Sequence, residues 1–134
     1  MSVSPEMIRL VYDLWEACVP GHEYVMESDL PSSLDKLPRS EWGDVIRTLR
    51  NMNRLGHLMA MGSLPPEFLT SLAGKEIIDT VVKLKPLLDD ERTRRSDPAY
   101  LEFVDQLLAA CRERYPDYEP KYQPRRRAAG LPIG

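Results

Sequence analysis

The chain has 134 residues, 43% of them apolar and 29% charged, and a net charge of −3, a composition that predicts one globular domain. Its uninterrupted apolar stretches, such as Leu58 to Met61, are far shorter than the ~20 residues that cross a bilayer. The first residues lack the basic and apolar regions of a signal peptide. These features favour a soluble, cytoplasmic protein over a membrane-spanning or secreted one.

The charge is unevenly distributed along the chain. Residues 1–30 carry six acids against one arginine, whereas residues 116–134 carry four basic side chains against two acids. An acidic front and a basic tail attract each other or a neighbouring subunit, but attraction between exposed groups is weak and is screened by salt. The charge distribution alone therefore decides little about the partner.

The first helix has a clear beginning. Ser4 is a suitable cap, and Pro5 suits the first helical position, where no amide hydrogen is needed. Apolar residues then recur at helical spacing until Pro20-Gly21, which predicts the end of the helix. Residues 24–26 are too few to classify and are predicted as a loop or an edge strand.

Two further helices are predicted before residue 62. Residues 28–37 form a short one, because three leucines share a helical face and Pro38 follows them. The longest periodic run of the chain starts near Ser40, with an apolar stripe on one face and arginines on another. Gly56 interrupts this run, so the pattern does not determine where the helix ends.

Two folds compete for the residues around Gly56. In the first, one helix runs from Ser40 to about Met61, and the glycine costs roughly 1 kcal/mol against alanine while letting a neighbouring helix approach closely. In the second, the helix ends at Gly56 and residues 57–61 form a strand, which gives a winged helix-turn-helix with 40–55 as recognition helix. The side chains then available to DNA phosphates are Arg39, Arg47, Arg50 and Arg54. The acidic net charge and the lack of a wing partner favour the first fold, in which the arginines form a solvated helix face.

A proline-kinked helix is predicted near residues 75–92. A short helical piece precedes it, begins at Pro65-Pro66 and ends at Gly74. Pro86 lies inside the predicted helix, where it removes one backbone hydrogen bond and clashes with the carbonyl four residues earlier. We therefore expect a kink near Val82.

The chain ends in one more helix and a tail. Asp97 is the predicted cap of this helix, Pro98 is its first residue, and Pro116 stops it. The predicted elements form one all-α domain over residues 1–115, a bundle of five to six helices joined by short turns. Residues 116–134 are predicted as an extended tail rich in proline, tyrosine and arginine.

The tail contains the predicted partner-binding residues. Tyrosine is a common anchor at protein interfaces, and disordered tails usually avoid aromatic residues. We therefore expect residues 115–123 to pack on the bundle or on a partner, with a plain mobile tail as the alternative. The residues predicted to face a partner are Tyr118, Tyr122, Arg125, Arg126 and Arg127.

Several stretches between residues 53 and 115 follow one another in a recognisable order. They are Leu58-Met59-Ala60-Met61-Gly62, Pro66-Glu67-Phe68-Leu69, the run from Val81 to Leu88 with Glu91-Arg92, and Tyr100-Leu101-Glu102-Phe103. In these stretches the chain resembles a bacterial helical domain of unknown function, a family of small proteins that often carry an amino-terminal membrane anchor. The chain departs from that pattern, since it shows no anchor and has Arg50-Asn51-Met52 where an aromatic–Glu pair is expected. The resemblance implies the single long helix and implies no activity.

No constellation of residues suited to catalysis is evident. His22 and His57 are isolated, and Cys18 and Cys111 match no metal or redox spacing, so we predict ordinary histidines and two buried thiols. The sequence therefore predicts no catalytic, cofactor-binding or metal site and no small-molecule substrate. We expect a non-enzymatic protein–protein interaction module that binds a protein partner or itself. A winged helix-turn-helix regulator that binds DNA is the alternative.

Overall fold

The structure is a computed structural model, and it describes residues 3–121. In chain order the elements are α1 (Pro5–Glu27), a 3₁₀ turn (Leu34–Lys36), α2 (Arg39–Ala60), α3 (Pro66–Arg94) and α4 (Phe103–Arg114). Each α-helix packs mainly against two others, so that α1, α2, α4 and α3 follow one another around a bundle. The predicted all-α class is confirmed, with four α-helices in the described chain instead of the five to six predicted.

The helix α1 continues through the Pro20-Gly21 pair that was predicted to end it. Pro20 lies on the exposed face of α1, and its ring leaves the carbonyl of Glu16 without its usual amide partner. Residues 24–26 are consequently helical, and the loop or edge strand predicted there is wrong.

Both ends of α1 are capped by hydrogen bonds. The Met7 amide donates to Ser4 Oγ over 3.1 Å, as the sequence predicted. At the other end, the buried ammonium group of Lys83 on α3 donates to the carbonyls of Val25 and Ser28. A cation at this position also interacts favourably with the negative end of the helix dipole.

Buried glycines lie where neighbouring elements approach most closely. A Cβ atom on Gly21 would lie 2.0 Å from Thr48 Oγ1 of α2, and one on Gly56 would lie 2.2 Å from the carbonyl oxygen of Phe103. The expectation that Gly56 lets a neighbouring helix approach is confirmed, and that helix is α4. At Gly21, the residue that looked like a helix stop is instead required by helix packing.

The helix α2 passes through Gly56 without interruption and ends at Ala60. Its end is a Schellman motif: Gly62 has a φ of +78°, and the Ser63 amide donates to the Leu58 carbonyl over 3.0 Å. The winged fold required a strand at 57–61, but residues 57–60 are helical and no strand occurs between residues 3 and 121. The described chain therefore has the single long helix.

The short helix predicted over residues 28–37 is reduced to the 3₁₀ turn at Leu34–Lys36. Ser33 donates its hydroxyl to Asp35 Oδ1 over 2.5 Å, and such local bonds compete with helical ones. Leu34 and Leu37 are buried, as the shared leucine face suggested. The apolar pattern thus identified core residues correctly but assigned the wrong backbone.

The bend in α3 lies at a different residue from the one predicted. The backbone leaves helical geometry at Ala73 (φ −150°, ψ 24°), beside Gly74. Pro86 lies inside the helix at an exposed position, and the proline ring is compatible with a helical φ. The kink predicted near Val82 is therefore not where this backbone departs from helical angles.

The last helix begins at Phe103 and not at Pro98 as predicted. The guanidinium of Arg92 donates to the carbonyls of Tyr100 (2.8 Å) and Leu101 (3.1 Å), and Leu101 has a φ of +53°. These bonds hold residues before α4 in a turn. The first amide of α4 is hydrogen-bonded to a side chain of α2, since Phe103 N donates to Asn53 Oδ1 over 3.0 Å.

The core consists of two apolar clusters. The larger is formed by all four helices and contains Met52, Ile77 and Leu107 among others, and the smaller lies around Leu49 and Leu84. Burial of these side chains is the main contribution to the stability of the bundle. None of the helices between residues 3 and 121 is long and apolar enough to cross a membrane.

Candidate functional site

The outward sides of α1 and α2 form one continuous surface, which we call the α1–α2 face. The two helices run antiparallel, and Cys18 lies beside Thr48, whose hydroxyl donates to the Cys18 carbonyl over 3.0 Å. Residues three or four positions apart share a helical face. The members of the face on α1 are Glu6, Leu10, Asp13 and Leu14, and those on α2 are Arg47, Arg50, Arg54, His57, Leu58 and Met61.

An open groove with a volume of about 290 Å³ runs between the two helices of this face. Its lining residues are Leu10, Leu14, Arg54, His57 and Leu58. Leu10 is 42% exposed, and Met61, just beyond the end of α2, is 64% exposed. Isolated apolar side chains on a surface are ordinary, but a groove lined by them is a common site of protein–protein contact.

The two borders of the groove carry opposite charges. On α1, Glu6 and Asp13 are exposed and stand one turn before and one turn after Leu10. On α2, Arg50 and Arg54 are exposed one turn apart. The groove therefore has an acidic border on α1 and a basic border on α2.

The structure places the four arginines predicted to contact DNA along α2. Arg47, Arg50 and Arg54 are exposed on one face, as their spacing predicted, and Arg39 is the first residue of the helix. Arg47 forms an ion pair with Asp44 at 3.2 Å. Contact with DNA itself stays a prediction.

The beginning of the tail packs on α3. The Tyr115 ring covers Gly74, where a Cβ atom would lie 2.7 Å from Tyr115 Cε2. Farther along, the Tyr118 hydroxyl donates to the carboxyl oxygens of buried Asp79 at 2.9 and 3.0 Å, and the Lys121 amide donates to Asp79 Oδ1 at 2.9 Å. The expectation that this segment packs on the bundle holds for residues 115–121. We call the contact of Tyr118 and Lys121 with Asp79 the tail clasp.

The tail clasp includes Tyr118, one of the residues predicted to face a partner. Tyr118 uses its hydroxyl within the chain, and burial, with the hydrogen bond to Asp79 adding to it, raises the pKa of Tyr118 to about 12. Contact of Tyr118 with a partner stays a prediction. Tyr122 and Arg125, Arg126 and Arg127 lie outside the described residues.

Asp79 was missed in the sequence, although a signal was present. It stands between Ile77-Ile78 and Val81-Val82, and an acid inside an apolar run is buried only with hydrogen-bond partners. Next to Asp79 in the chain, the Thr80 hydroxyl is hydrogen-bonded to His22 Nδ1 and donates to the Glu76 carbonyl over 2.8 Å. Burial is the main cause of the lowered pKa of His22. A sequence alone does not show which part of the chain supplies the hydrogen-bond partners of Asp79.

Both cysteines are buried, as predicted. Burial raises the pKa of Cys18 and of Cys111 to about 12, and both thiols are free and buried. Such thiols are poor nucleophiles. His57 is exposed and stacks on Phe103 with ring centroids 4.5 Å apart. In the described part of the chain, no three histidine, cysteine or acidic side chains cluster as metal ligands.

Comparison of the chain with protein-family models, with curated proteins and with solved structures found no match. The resemblance of residues 53–115 to a bacterial helical domain of unknown function therefore stays a prediction.

Proposed function

We propose that this chain is a non-enzymatic interaction module that binds a protein partner through the α1–α2 face. The observation that carries the proposal is the apolar groove between two helices, with exposed acids on one border and exposed arginines on the other. An apolar centre inside a charged rim is the usual anatomy of a protein interface.

The groove suits a helix of the partner. An amphipathic helix commonly lays its apolar side chains into a groove between two helices and reads it at intervals of three or four residues. Leu10 and Leu58 form opposite walls of such a groove here. Charged residues on both sides of the partner helix would then meet the two borders.

The arrangement of charges favours a protein over DNA. A polyanion lying along Arg47, Arg50 and Arg54 gains from counterion release, but it would also run beside Glu6 and Asp13 on the neighbouring helix. Like charges brought together in this way oppose binding. A protein partner that carries both signs meets no such repulsion.

The experiment compares two exposed apolar residues of the same helix. Leu10 lies in the groove, whereas Tyr12, 44% exposed, does not line it. We expect the immobilised wild-type protein and the Tyr12→Ser variant to retain the same protein partner after nuclease treatment, and the Leu10→Ser variant to lose it. Thermal melting of both variants shows whether the fold is kept.

Two results contradict the proposal. Equal retention by Leu10→Ser and wild-type protein would mean that the groove is not the binding site. Retained material that is nucleic acid, with a salt-dependent gel shift abolished by Arg47→Ala/Arg50→Ala, would favour the DNA-binding alternative instead.

A further inference from the structure

We propose that the partner on the α1–α2 face is a second copy of this chain, related to the first by a two-fold axis parallel to α1 and α2. This inference rests on the proposed function and names its partner. It follows from the charges of the two borders and from the pairing of the helices along the bundle.

The axis is chosen by charge. With the two-fold axis parallel to the helices, α1 of one copy lies on α2 of the other, so each acidic border meets a basic one. With an axis across the helices, α1 would lie on α1 and would bring Glu6 and Asp13 against themselves. Only the first arrangement is self-complementary, which a two-fold interface requires.

The height of each residue along the bundle then identifies an ion pair. Cys18 lies beside Thr48, and α1 and α2 are antiparallel. Asp13 is five residues before Cys18, and residue 53 is five residues after Thr48. Asp13 therefore stands at the height of residue 53, next to Arg54. Because a parallel two-fold axis preserves height, Asp13 of one copy faces Arg54 of the other, and symmetry repeats the pair.

The apolar residues fit the same arrangement. Leu10 and Leu58 line the groove at similar heights, so the leucine of α1 in one copy faces the leucine of α2 in the other. The contact removes the exposed part of Leu10 from water in both copies, which favours association. The product is a four-helix interface, with two helices from each copy packed face to face and two symmetry-related ion pairs.

The test uses two charge-reversal variants. Each reversal restores a favourable ion pair only when it faces the other reversal on the second chain of the dimer. In the Asp13→Arg variant, two guanidinium groups face each other at the position of each ion pair of the dimer. In the Arg54→Glu variant, two acids meet at each position. We expect sedimentation velocity of the full chain to show a dimer that weakens with salt, and each variant to raise the dimer dissociation constant about tenfold or more.

Mixing the two variants supplies the decisive measurement. In a mixed dimer, the new arginine of one chain faces the new glutamate of the other, and the original Asp13 and Arg54 face each other, so we expect association to return to the wild-type level. Charge effects within one chain are not repaired by mixing. The matched controls, Glu113→Arg and Arg112→Glu on the exposed side of α4, are expected to dimerise like the wild type.

The outcomes separate this inference from the proposed function. A monomer at every concentration, or variants that fail to restore each other, would overturn the second copy as partner. If Leu10→Ser still abolishes retention of another protein in that case, the proposed function stands with a different partner. If neither association nor retention depends on Leu10, both proposals are wrong.

Discussion

At the scale of single residues, three buried glycines set how closely the elements of this bundle approach. Gly21 contacts α2, Gly56 contacts the start of α4, and Gly74 lies under the Tyr115 ring. A Cβ atom at the first two positions would meet side-chain oxygen or backbone oxygen at 2.2 Å or less. A backbone atom cannot turn aside as a flexible side chain can, so Gly56 is the most restrictive of the three.

The first prediction compares two glycines of α2. In Gly56→Ala, the new methyl group forces α4 away from α2, and we expect a loss of about 1–3 kcal/mol in the free energy of unfolding. In Gly43→Ala nothing lies within 4 Å of the added carbon, so the lower chain entropy of the unfolded state should raise stability by about 0.5–1 kcal/mol. Urea unfolding measures the free energy of unfolding of both variants, which should fall in Gly56→Ala and rise in Gly43→Ala. Equal effects would mean that the close approach at Phe103 is not as described.

At the scale of elements, Arg92 determines where α4 begins. Its side chain, buried on α3, holds two carbonyls of the turn before α4 and forms an ion pair with Asp105 on α4 at 3.0 Å. Lys85 on α3 contacts the same Asp105 at 2.9 Å. One guanidinium therefore fixes both the turn and the packing of α4 on α3, because its planar fork donates in several directions at once.

The second prediction concerns this fork. Arg92→Lys keeps the positive charge but cannot reach both carbonyls and Asp105 together, so we expect a loss of about 1–3 kcal/mol in stability. Amide hydrogen exchange should accelerate in residues 99–103. The control is Arg94→Lys on the same helix, where the exposed ion pair with Asp35 at 2.9 Å contributes about 0–1 kcal/mol. A loss as large in Arg94→Lys would show that the fork has no special role.

The sequence predictions were accurate where the residues of one element determine its structure, and they failed where contacts with another element determine it. The start of α1 at Ser4-Pro5 was predicted correctly, because a helix cap acts within one element. Periodicity alone left two folds open at Gly56, and the net charge and the missing wing partner favoured the continuous helix that α2 forms. The end of α1 was wrong, since whether Pro20-Gly21 stops a helix depends on what packs against Gly21. The start of α4 was wrong for the same reason, because the bonds that hold the preceding turn come from Arg92 on another helix.

The candidate site was predictable in its parts but not as a whole. The spacing of Arg47, Arg50 and Arg54 predicted their shared face, and the acidic character of residues 1–30 was evident from composition. That these two features border one groove follows only from the antiparallel packing of α1 on α2, which no local pattern specifies. The partner of Asp79 was hidden in the same way, since it comes from a segment 39 residues later in the chain.

At the scale of the whole molecule, the tail clasp connects the end of the described chain to the middle of α3. Asp79 is 3% exposed, and two donors satisfy its carboxyl group: the Tyr118 hydroxyl, shared between both oxygens, and the Lys121 amide. Lys75 adds a cation over the rings of Tyr115 and Tyr118, 5.3 and 5.5 Å from their centroids. The segment after α4 therefore contacts α3 as far as Lys121.

The last prediction separates this segment from the residues that follow it. Ending the chain after Tyr115 removes the donors to Asp79 and exposes its surroundings, so we expect a loss of about 1–3 kcal/mol and a fall of about 3–10 °C in melting temperature. Ending it after Lys121 keeps every bond of the tail clasp and should leave the melting temperature nearly unchanged. Tyr118→Phe in the full chain should reproduce much of the loss, because the phenyl ring keeps its packing while Asp79 loses a hydrogen-bond donor. If both truncations melt alike, the clasp contributes nothing to stability. If neither truncation changes the dissociation constant of the proposed dimer, the α1–α2 face associates independently of the tail, as expected because only α1 and α2 form that face.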